Sequence, residues 1–352
     1  RGILIALPIV LVFGGLLMAA DAIFEGIVKK VFDIDFQEIF KHLFITGFGA
    51  WVAGGLLHGI FFSKREGLPE NVRASSFNAG LTETFIVLGL LNLLFLSFVL
   101  VQFRYFFGGA NLVEVTPGLT YAEYARRGFF ELVTVAGLVL PLLLGWHWLL
   151  PKGNMKSEKI FRVLAGIMIL LLFVIMASAV KRMRLYQGEY GLTELRLYTT
   201  VFMGWLAAVF IWFGLTVLRN HRERFMFGAL ITGFVAIFAL QTINPDGLIV
   251  RTNLSLAKSG KSFDVDYAAT LSDDALPALV EALPSLNDAD QKKVFDCIIA
   301  PKLTSLKSDW RTWSWSRHQA EKVLEEYREP FQKILSFWYN GNIPVLGPAT
   351  FF

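Results

Sequence analysis

Cysteine, histidine and charged residues are scarce in this chain. Its 352 residues include one cysteine, Cys297, and five histidines. A single cysteine excludes an internal disulfide framework. Charged residues make up only 18% of the chain, whereas soluble domains carry about a quarter. The composition therefore excludes an ordinary soluble protein and indicates the membrane class.

Catalytic signatures are also missing. The sequence has no His-Glu-x-x-His, Gly-x-Ser-x-Gly, Walker-type glycine loop or Cys-x-x-Cys motif. Their absence disfavours a metalloprotease and an NTPase. We therefore expect no metal and no cofactor, and we favour a non-enzymatic protein.

Long apolar blocks are abundant in what remains. Hydrophobic residues make up 55% of the chain, and a helix needs about 20 of them in succession to cross a bilayer. The sequence predicts an all-α, polytopic transmembrane bundle with seven spans, at 2–20, 41–62, 80–106, 129–150, 160–181, 197–218 and 225–243. Residues 22–40 alternate apolar and charged residues at helical spacing and predict an amphipathic helix, which lies either in the membrane interface or in a solvated loop.

The basic residues predict the orientation in the membrane. The net charge is +4, but the basic residues lie in short runs between apolar blocks, which is typical of topology signals and not of nucleic-acid binding. The second, fourth and sixth connections, taken as rich in Lys and Arg, are expected in the cytoplasm. Residues 1–243 would then form the bundle, and a helical, water-facing domain at 244–352 would lie on the non-cytoplasmic side.

Charged residues within the blocks are the main candidates for a functional site, because such charges are costly unless they are paired or solvated. Most are predicted at one membrane level, near the outer ends of the helices; Glu83 is the exception. They form either a polar cavity for an ion, headgroup or peptide, or a set of salt bridges that join helix ends. The candidates are Glu83, Arg104, Arg126, Arg127, Glu131, Arg182, Arg184, Arg196 and Tyr198.

The C-terminal region carries helix signals and a group of tryptophans. Ser272 and Asn287 are N-cap residues that predict two short helices, the second ending near Pro301. Trp310, Trp313 and Trp315 either face a partner or form the core of the small domain.

Several strings resemble a family of bacterial multi-pass membrane proteins classed as a domain of unknown function. They are the strings at 1–8 (RGILIALP), 20–24 (ADAIF), 121–131 (YAEYARRGFFE), 190–198 (YGLTELRLY), 244–253 (NPDGLIVRTN), 271–279 (LSDDALPAL) and 310–313 (WRTW). The resemblance implies a bacterial inner-membrane protein with further spans upstream. It implies no activity, but it draws attention to Asp246 and Arg251 as candidate partner-facing residues.

Three functions are compatible with these features. We favour a scaffold, sensor or subunit of a membrane complex whose C-terminal domain meets a protein partner. The first alternative is a transporter or channel that uses Glu83, Glu131 and Arg196. The second is a membrane-embedded enzyme that acts on lipid or glycan.

Overall fold

The structure is a computed structural model that describes residues 1–32, 80–108, 128–151, 154–305 and 313–327, and every regular element in those ranges is helical. The α-helices are α1 (Gly2–Ala20), α2 (Ala22–Phe32), α3 (Leu81–Gly108), α4 (Phe129–Leu149), α5 (Met155–Tyr190), α6 (Glu194–Thr216), α7 (Phe225–Ile243), α8 (Pro245–Lys258), α9 (Val265–Ala269), α10 (Leu276–Ala282), α11 (Asp288–Val294), α12 (Ala300–Ser305) and α13 (Trp315–Glu326).

Six of the described helices, α1 and α3 to α7, are long and apolar enough to cross a membrane. They correspond to six of the predicted blocks and confirm the all-α, polytopic class. The predicted span at 41–62 lies outside the described residues. Helix α5 is longer than its predicted block: it has 36 residues, or about 54 Å, because no residue breaks it before Gly191, where φ is +74°.

The chain divides into two compact units. Unit 1 comprises Arg1–Tyr186 and Phe202–Thr232, and unit 2 comprises Gln187–Val201 and Gly233–Phe352. Each unit has a hydrophobic core of its own. The predicted domain boundary at 243/244 stays a prediction.

In unit 1, helices α1, α3 and α5 run in one direction and α4 runs against them. Phe13 of α1 packs edge-on against Phe95 of α3, with 5.7 Å between ring centroids. Two hydrogen bonds join the spans further: Asn92 donates to the Leu164 carbonyl (3.0 Å), and the Trp146 indole donates to the Thr84 hydroxyl (3.1 Å). Such interhelical hydrogen bonds satisfy polar groups that hydrocarbon cannot solvate.

Side-chain caps lie at the start of several helical segments of unit 2. The Ser272 hydroxyl accepts from the backbone N–H of Asp274 at a 3-10 turn before α10, and the Asn287 amide oxygen accepts from the backbone N–H of Asp290 at the start of α11. Both caps confirm the predicted starts of these helices. Each cap satisfies an N–H that has no partner within its helix.

The predicted end near Pro301 is wrong, because the helix continues as α12 to Ser305. A π-helical turn at Phe295–Ile299 ends two residues before the proline. A proline in a regular helix clashes with the carbonyl four residues earlier. The wider π turn changes the spacing at that point, which accounts for a helix that passes through Pro301 without ending.

Candidate functional site

A buried ion pair lies where α1 meets α2 in unit 1. Arg182 of α5 donates from Nη2 to Asp21 Oδ2 at 2.6 Å, and both residues are 3% exposed. Arg182 also donates from Nη1 to the backbone carbonyl of Ala20, at 2.9 Å. Charges buried among spanning helices are costly unless paired in this way.

Asp21 also starts the second helix. Its Oδ1 accepts from the backbone N–H groups of Ile23 (3.0 Å) and Phe24 (3.1 Å), which are the unsatisfied donors at the start of α2. One carboxylate therefore caps α2 with one oxygen and binds Arg182 with the other. This arrangement fixes the junction between α1 and α2 relative to α5.

Gly128 packs directly against the same carbonyl group. Its φ is +89°, and a methyl group built onto it would lie 2.6 Å from the carbonyl carbon of Ala20 and closer still to the oxygen. Only glycine combines this backbone conformation with so close an approach. The turn before α4 therefore depends on Gly128, which belongs to the string at 121–131.

Two other predicted charges of unit 1 lie in the first turns of their own helices. The Glu83 carboxylate lies beside Gly80 at the N-terminus of its own helix, α3, where a negative charge is favourable. Glu131 lies in the first turn of α4. Since Trp146, at the other end of α4, bonds Thr84, Glu83 and Glu131 lie at opposite ends of the bundle, about 22 Å apart along α4.

Arg184 is exposed on α5, two residues after the buried Arg182. The side chain of Arg104 and the whole of Arg126 and Arg127 lie outside the described residues. The site that we predicted from these positions stays a prediction, and the described part contributes one buried pair to it.

A second polar cluster in unit 2 joins two of the strings that resemble the family, which we call the family-like strings. The Asn253 amide accepts from the backbone N–H of Leu192 (2.6 Å) and donates to the carbonyl of the same residue (2.9 Å). Gly191 has a φ of +74°, and a methyl group built on it would lie 2.6 Å from the Asn253 oxygen. The string at 244–253 therefore holds the string at 190–198 through one side chain.

The turn before α6 is closed by two further residues. Arg196 donates from Nη1 to the carbonyls of Tyr190 (3.1 Å) and Gly191 (2.5 Å). The Tyr267 hydroxyl accepts from the backbone N–H of Glu194 at 2.8 Å, and burial raises the pKa of this hydroxyl above its ordinary value of 10.0. Tyr267 is therefore neutral at physiological pH. The predicted site residue Tyr198 lies on α6 and is 44% exposed.

The string at 271–279 joins the same cluster. Asp246 is 5% exposed, and its carboxylate accepts from both the backbone N–H and the hydroxyl of Ser272. Asn244 caps α8 by accepting from Gly247 (2.9 Å) and donates to the Asp274 carbonyl (3.0 Å). These polar side chains form the internal frame of unit 2.

The remaining partner-facing candidates differ from Asp246 in their exposure. Arg251 extends into solvent at 3.8 Å from Glu281, and both side chains are largely exposed. Trp313 and Trp315 are 60% and 67% exposed. Trp310 lies outside the described residues. The described residues contain no group of three or more side chains that could hold a metal ion.

Sequence reasoning did not single out four residues that organise these clusters: Asp21, Gly128, Gly191 and Asn253. Asp21 interrupts an otherwise apolar stretch of more than 20 residues, and that interruption is the one local signal for its role. Asn253 and the two glycines act through backbone contacts with distant residues. No spacing rule within a helix reports such contacts.

Six apolar helices with buried interhelical polar bonds define an all-α, multi-pass membrane protein. The chain belongs to the family described as "Domain of unknown function (DUF4153)", whose model matches residues 1–282. The resemblance predicted from the sequence is thereby confirmed. No curated protein and no solved structure matches the chain.

Proposed function

We propose that the protein is a non-enzymatic membrane scaffold, a subunit of a membrane complex, whose helical unit 2 docks a protein partner. The observation that carries this proposal is that the polar side chains of both clusters bond within the protein itself. Asp21, Arg182, Arg196, Asp246 and Asn253 all bond to groups within their own unit. These bonds hold helices together, and they leave these residues little capacity for binding a substrate.

The docking surface that we propose consists of Trp313 and Trp315. They flank Ser314, whose hydroxyl accepts from the backbone N–H of Arg317 and thereby caps α13. Because the cap fixes the start of the helix, it presents two large aromatic groups to solvent from an ordered position. Exposed tryptophans of this kind supply much of the binding energy at protein interfaces.

Replacing both tryptophans by alanine is expected to release the partner and leave the fold intact. The full chain would be extracted from native membranes in mild detergent, and the size of its complex would be measured by native electrophoresis. We expect the complex of the Trp313→Ala/Trp315→Ala variant to shrink to the size of the scaffold alone. The free energy of unfolding should stay within about 0.5 kcal/mol of the wild-type value, as is usual for surface substitutions.

Trp148→Ala is the matched control. Trp148 is 76% exposed but lies at the end of α4, a position typical of the aromatic belt at the membrane surface. Its substitution should leave the complex unchanged. A complex that survives loss of both Trp313 and Trp315 would remove the proposed docking surface.

We further propose that residues 244–352 lie on the non-cytoplasmic side of a bacterial inner membrane. The distribution of Lys and Arg among the connections supports this orientation. Cys297 provides a direct test, because it is the chain's one cysteine and is exposed. A membrane-impermeant maleimide should label it in intact spheroplasts, and Cys297→Ser should show no labelling. Labelling that requires lysis of the spheroplasts would place the domain in the cytoplasm.

A transporter or channel is the second candidate, and the Asp21–Arg182 pair favours it, since ionisable residues among spanning helices often mark ion pathways. It ranks below the scaffold because both partners are engaged in internal bonds and because Glu83 of α3 and Glu131 of α4 lie at opposite ends of the bundle. Flux in proteoliposomes that is lost on Glu131→Gln would reverse this ranking.

A further inference from the structure

Unit 2 contains a cavity of about 460 Å³, and no residue of the family-like strings lines it. Two segments line it: the end of α8 with the loop that follows, at 254–263, and the turn into α11, at 285–290. Volumes of about 300–1,000 Å³ are typical of sites for small molecules. The cavity therefore has room for a small ligand.

The lining combines an apolar floor with charges of both signs. Leu254, Phe263 and Leu286 are each less than a tenth exposed and provide the floor. Lys258 and Lys261 come from the first segment and Asp290 from the second. A few polar groups placed over an apolar lining are what orients a small ligand in its site.

One of the two lysines is already committed. Lys261 donates to the carbonyls of Gly188 (2.7 Å) and Glu189 (3.4 Å), and it forms an ion pair with the Glu189 carboxylate at 2.9 Å. Its three hydrogens are therefore used. The ammonium group of Lys258, in the last turn of α8, makes no hydrogen bond or ion pair to any residue that the structure describes.

The opposite segment offers a carboxylate. Asp290 accepts from the Asn287 amide through Oδ2 at 2.8 Å, and within the described ranges its Oδ1 has no partner. The hydroxyl of Ser262 is likewise without a partner among described residues. The uncommitted groups of the cavity are thus one cation, one hydroxyl and one carboxylate oxygen above an apolar floor.

We infer that this cavity binds a free apolar α-amino acid. The carboxylate of the ligand pairs with Lys258 and Ser262, its ammonium group pairs with Asp290, and its side chain lies on Phe263 and Leu286. A purely anionic ligand is repelled by Asp290, and a purely cationic one is repelled by Lys258. A zwitterion satisfies both charges, and this binding does not depend on the docking of a protein partner.

Calorimetric titration of the full chain in maltoside micelles tests the inference. The probes are L-leucine and L-phenylalanine, together with two analogues that each lack one charge, phenylpropanoate and phenethylamine. We expect saturable binding of at least one amino acid and at least about tenfold weaker binding of both analogues, since each loses one charge-assisted contact. Dihexanoyl phosphatidylethanolamine is added as a probe because its headgroup has the same zwitterionic chemistry.

Three variants locate the binding site. Lys258→Met should weaken the amino acid at least about tenfold and leave phenethylamine unaffected or bound more tightly. Lys292→Met removes the same charge from an exposed position of α11 that does not line the cavity, and it should change nothing. Ala257→Leu fills part of the cavity without altering charge and should abolish binding of every probe.

The inference is overturned if neither amino acid binds, if both analogues bind as tightly as L-phenylalanine, or if Lys258→Met behaves like Lys292→Met. Binding of the phospholipid without either amino acid would assign the site to a lipid headgroup and would also overturn it.

Discussion

Substituting Asp21 by asparagine is expected to destabilise unit 1 by about 3 to 5 kcal/mol, the usual cost of breaking a buried ion pair by removing one partner. Asparagine is nearly the same shape and can still cap α2 through its side-chain oxygen. The loss therefore comes from the Arg182 guanidinium, which stays charged and buried at 3% exposure. The change is measured by unfolding the full chain in mixed micelles, with tryptophan fluorescence as the readout.

The partner substitution, Arg182→Met, is expected to cost less than Asp21→Asn. A carboxylate can lose its charge by protonation, whereas a guanidinium cannot. The Asp21 carboxylate also keeps two backbone donors, Ile23 and Phe24, when Arg182 is removed. The double variant Asp21→Asn/Arg182→Met should be more stable than the sum of the two single losses predicts. With both substitutions in place, no buried charge is left without its partner.

Arg184→Met is the matched control for these variants. Arg184 lies on the same helix and is exposed, so its loss should change stability by no more than about 0.5 kcal/mol. If Arg182→Met and Arg184→Met gave the same small effect, the ion pair would contribute nothing to the fold. The explanation of why α1, α2 and α5 meet at Asp21 would then fail.

The spans were predictable because they depend on a local property. A helix in lipid must satisfy every backbone group internally, so an apolar block of sufficient length has few alternatives. Helix α4, predicted at 129–150 and found at Phe129–Leu149, shows how closely block and helix agree. Helix α5 shows where the rule ends, since its last turns are polar and are terminated by the backbone of Gly191 and not by a change in hydrophobicity.

The site was less predictable because its bonds join residues far apart in the chain. Arg182 was a candidate from its position at the end of an apolar block, but its partner is 161 residues away. Asn253 reaches Leu192 across 61 residues. Residue type and spacing indicate which side chains are costly to bury, but they do not identify the backbone group or the charge that will satisfy each one.

The bonding of the family-like strings also bears on their meaning. A string that served a substrate would present its polar atoms to a cavity, whereas Asn244, Asp246 and Asn253 direct theirs to backbone and side-chain groups of unit 2 itself. The cavity of unit 2 is lined instead by residues 254–263 and 285–290. The polar side chains that join the family-like strings are therefore not the residues that line the cavity.

Substituting Gly128 by alanine is expected to have the largest effect of any single methyl group in the described chain. The φ of +89° costs an L-residue about 1 to 2 kcal/mol. In addition, the new methyl group would lie 2.7 Å from the Cα of Ala20, and this is backbone that cannot rotate away. We expect loss of monodisperse protein on gel filtration in detergent, or a fall in the free energy of unfolding that exceeds about 3 kcal/mol.

Gly137→Ala and Gly128→Asn separate the two causes. Gly137 lies in α4, and no described atom outside its own stretch of helix backbone lies within 4 Å of an added methyl group, so alanine there should be neutral or stabilising by up to about 1 kcal/mol. Asparagine tolerates positive φ but still carries the Cβ atom, so Gly128→Asn should fail as alanine does. If asparagine restored the fold, backbone conformation alone would explain the glycine.

We also expect the close approach of Gly128 to Ala20 and the Asp21–Arg182 ion pair to be energetically coupled. The Ala20 carbonyl that Gly128 abuts is the group that accepts from Arg182 Nη1 at 2.9 Å. A methyl group on Gly128 must displace Ala20 and so lengthen that bond, and Asp21 follows next in the chain. Arg182→Met should therefore cost less in a Gly128→Ala background than in the wild type, a coupling that unfolding measurements on the four proteins can detect. Strictly additive losses would mean that the turn before α4 and the Asp21–Arg182 pair stabilise unit 1 independently.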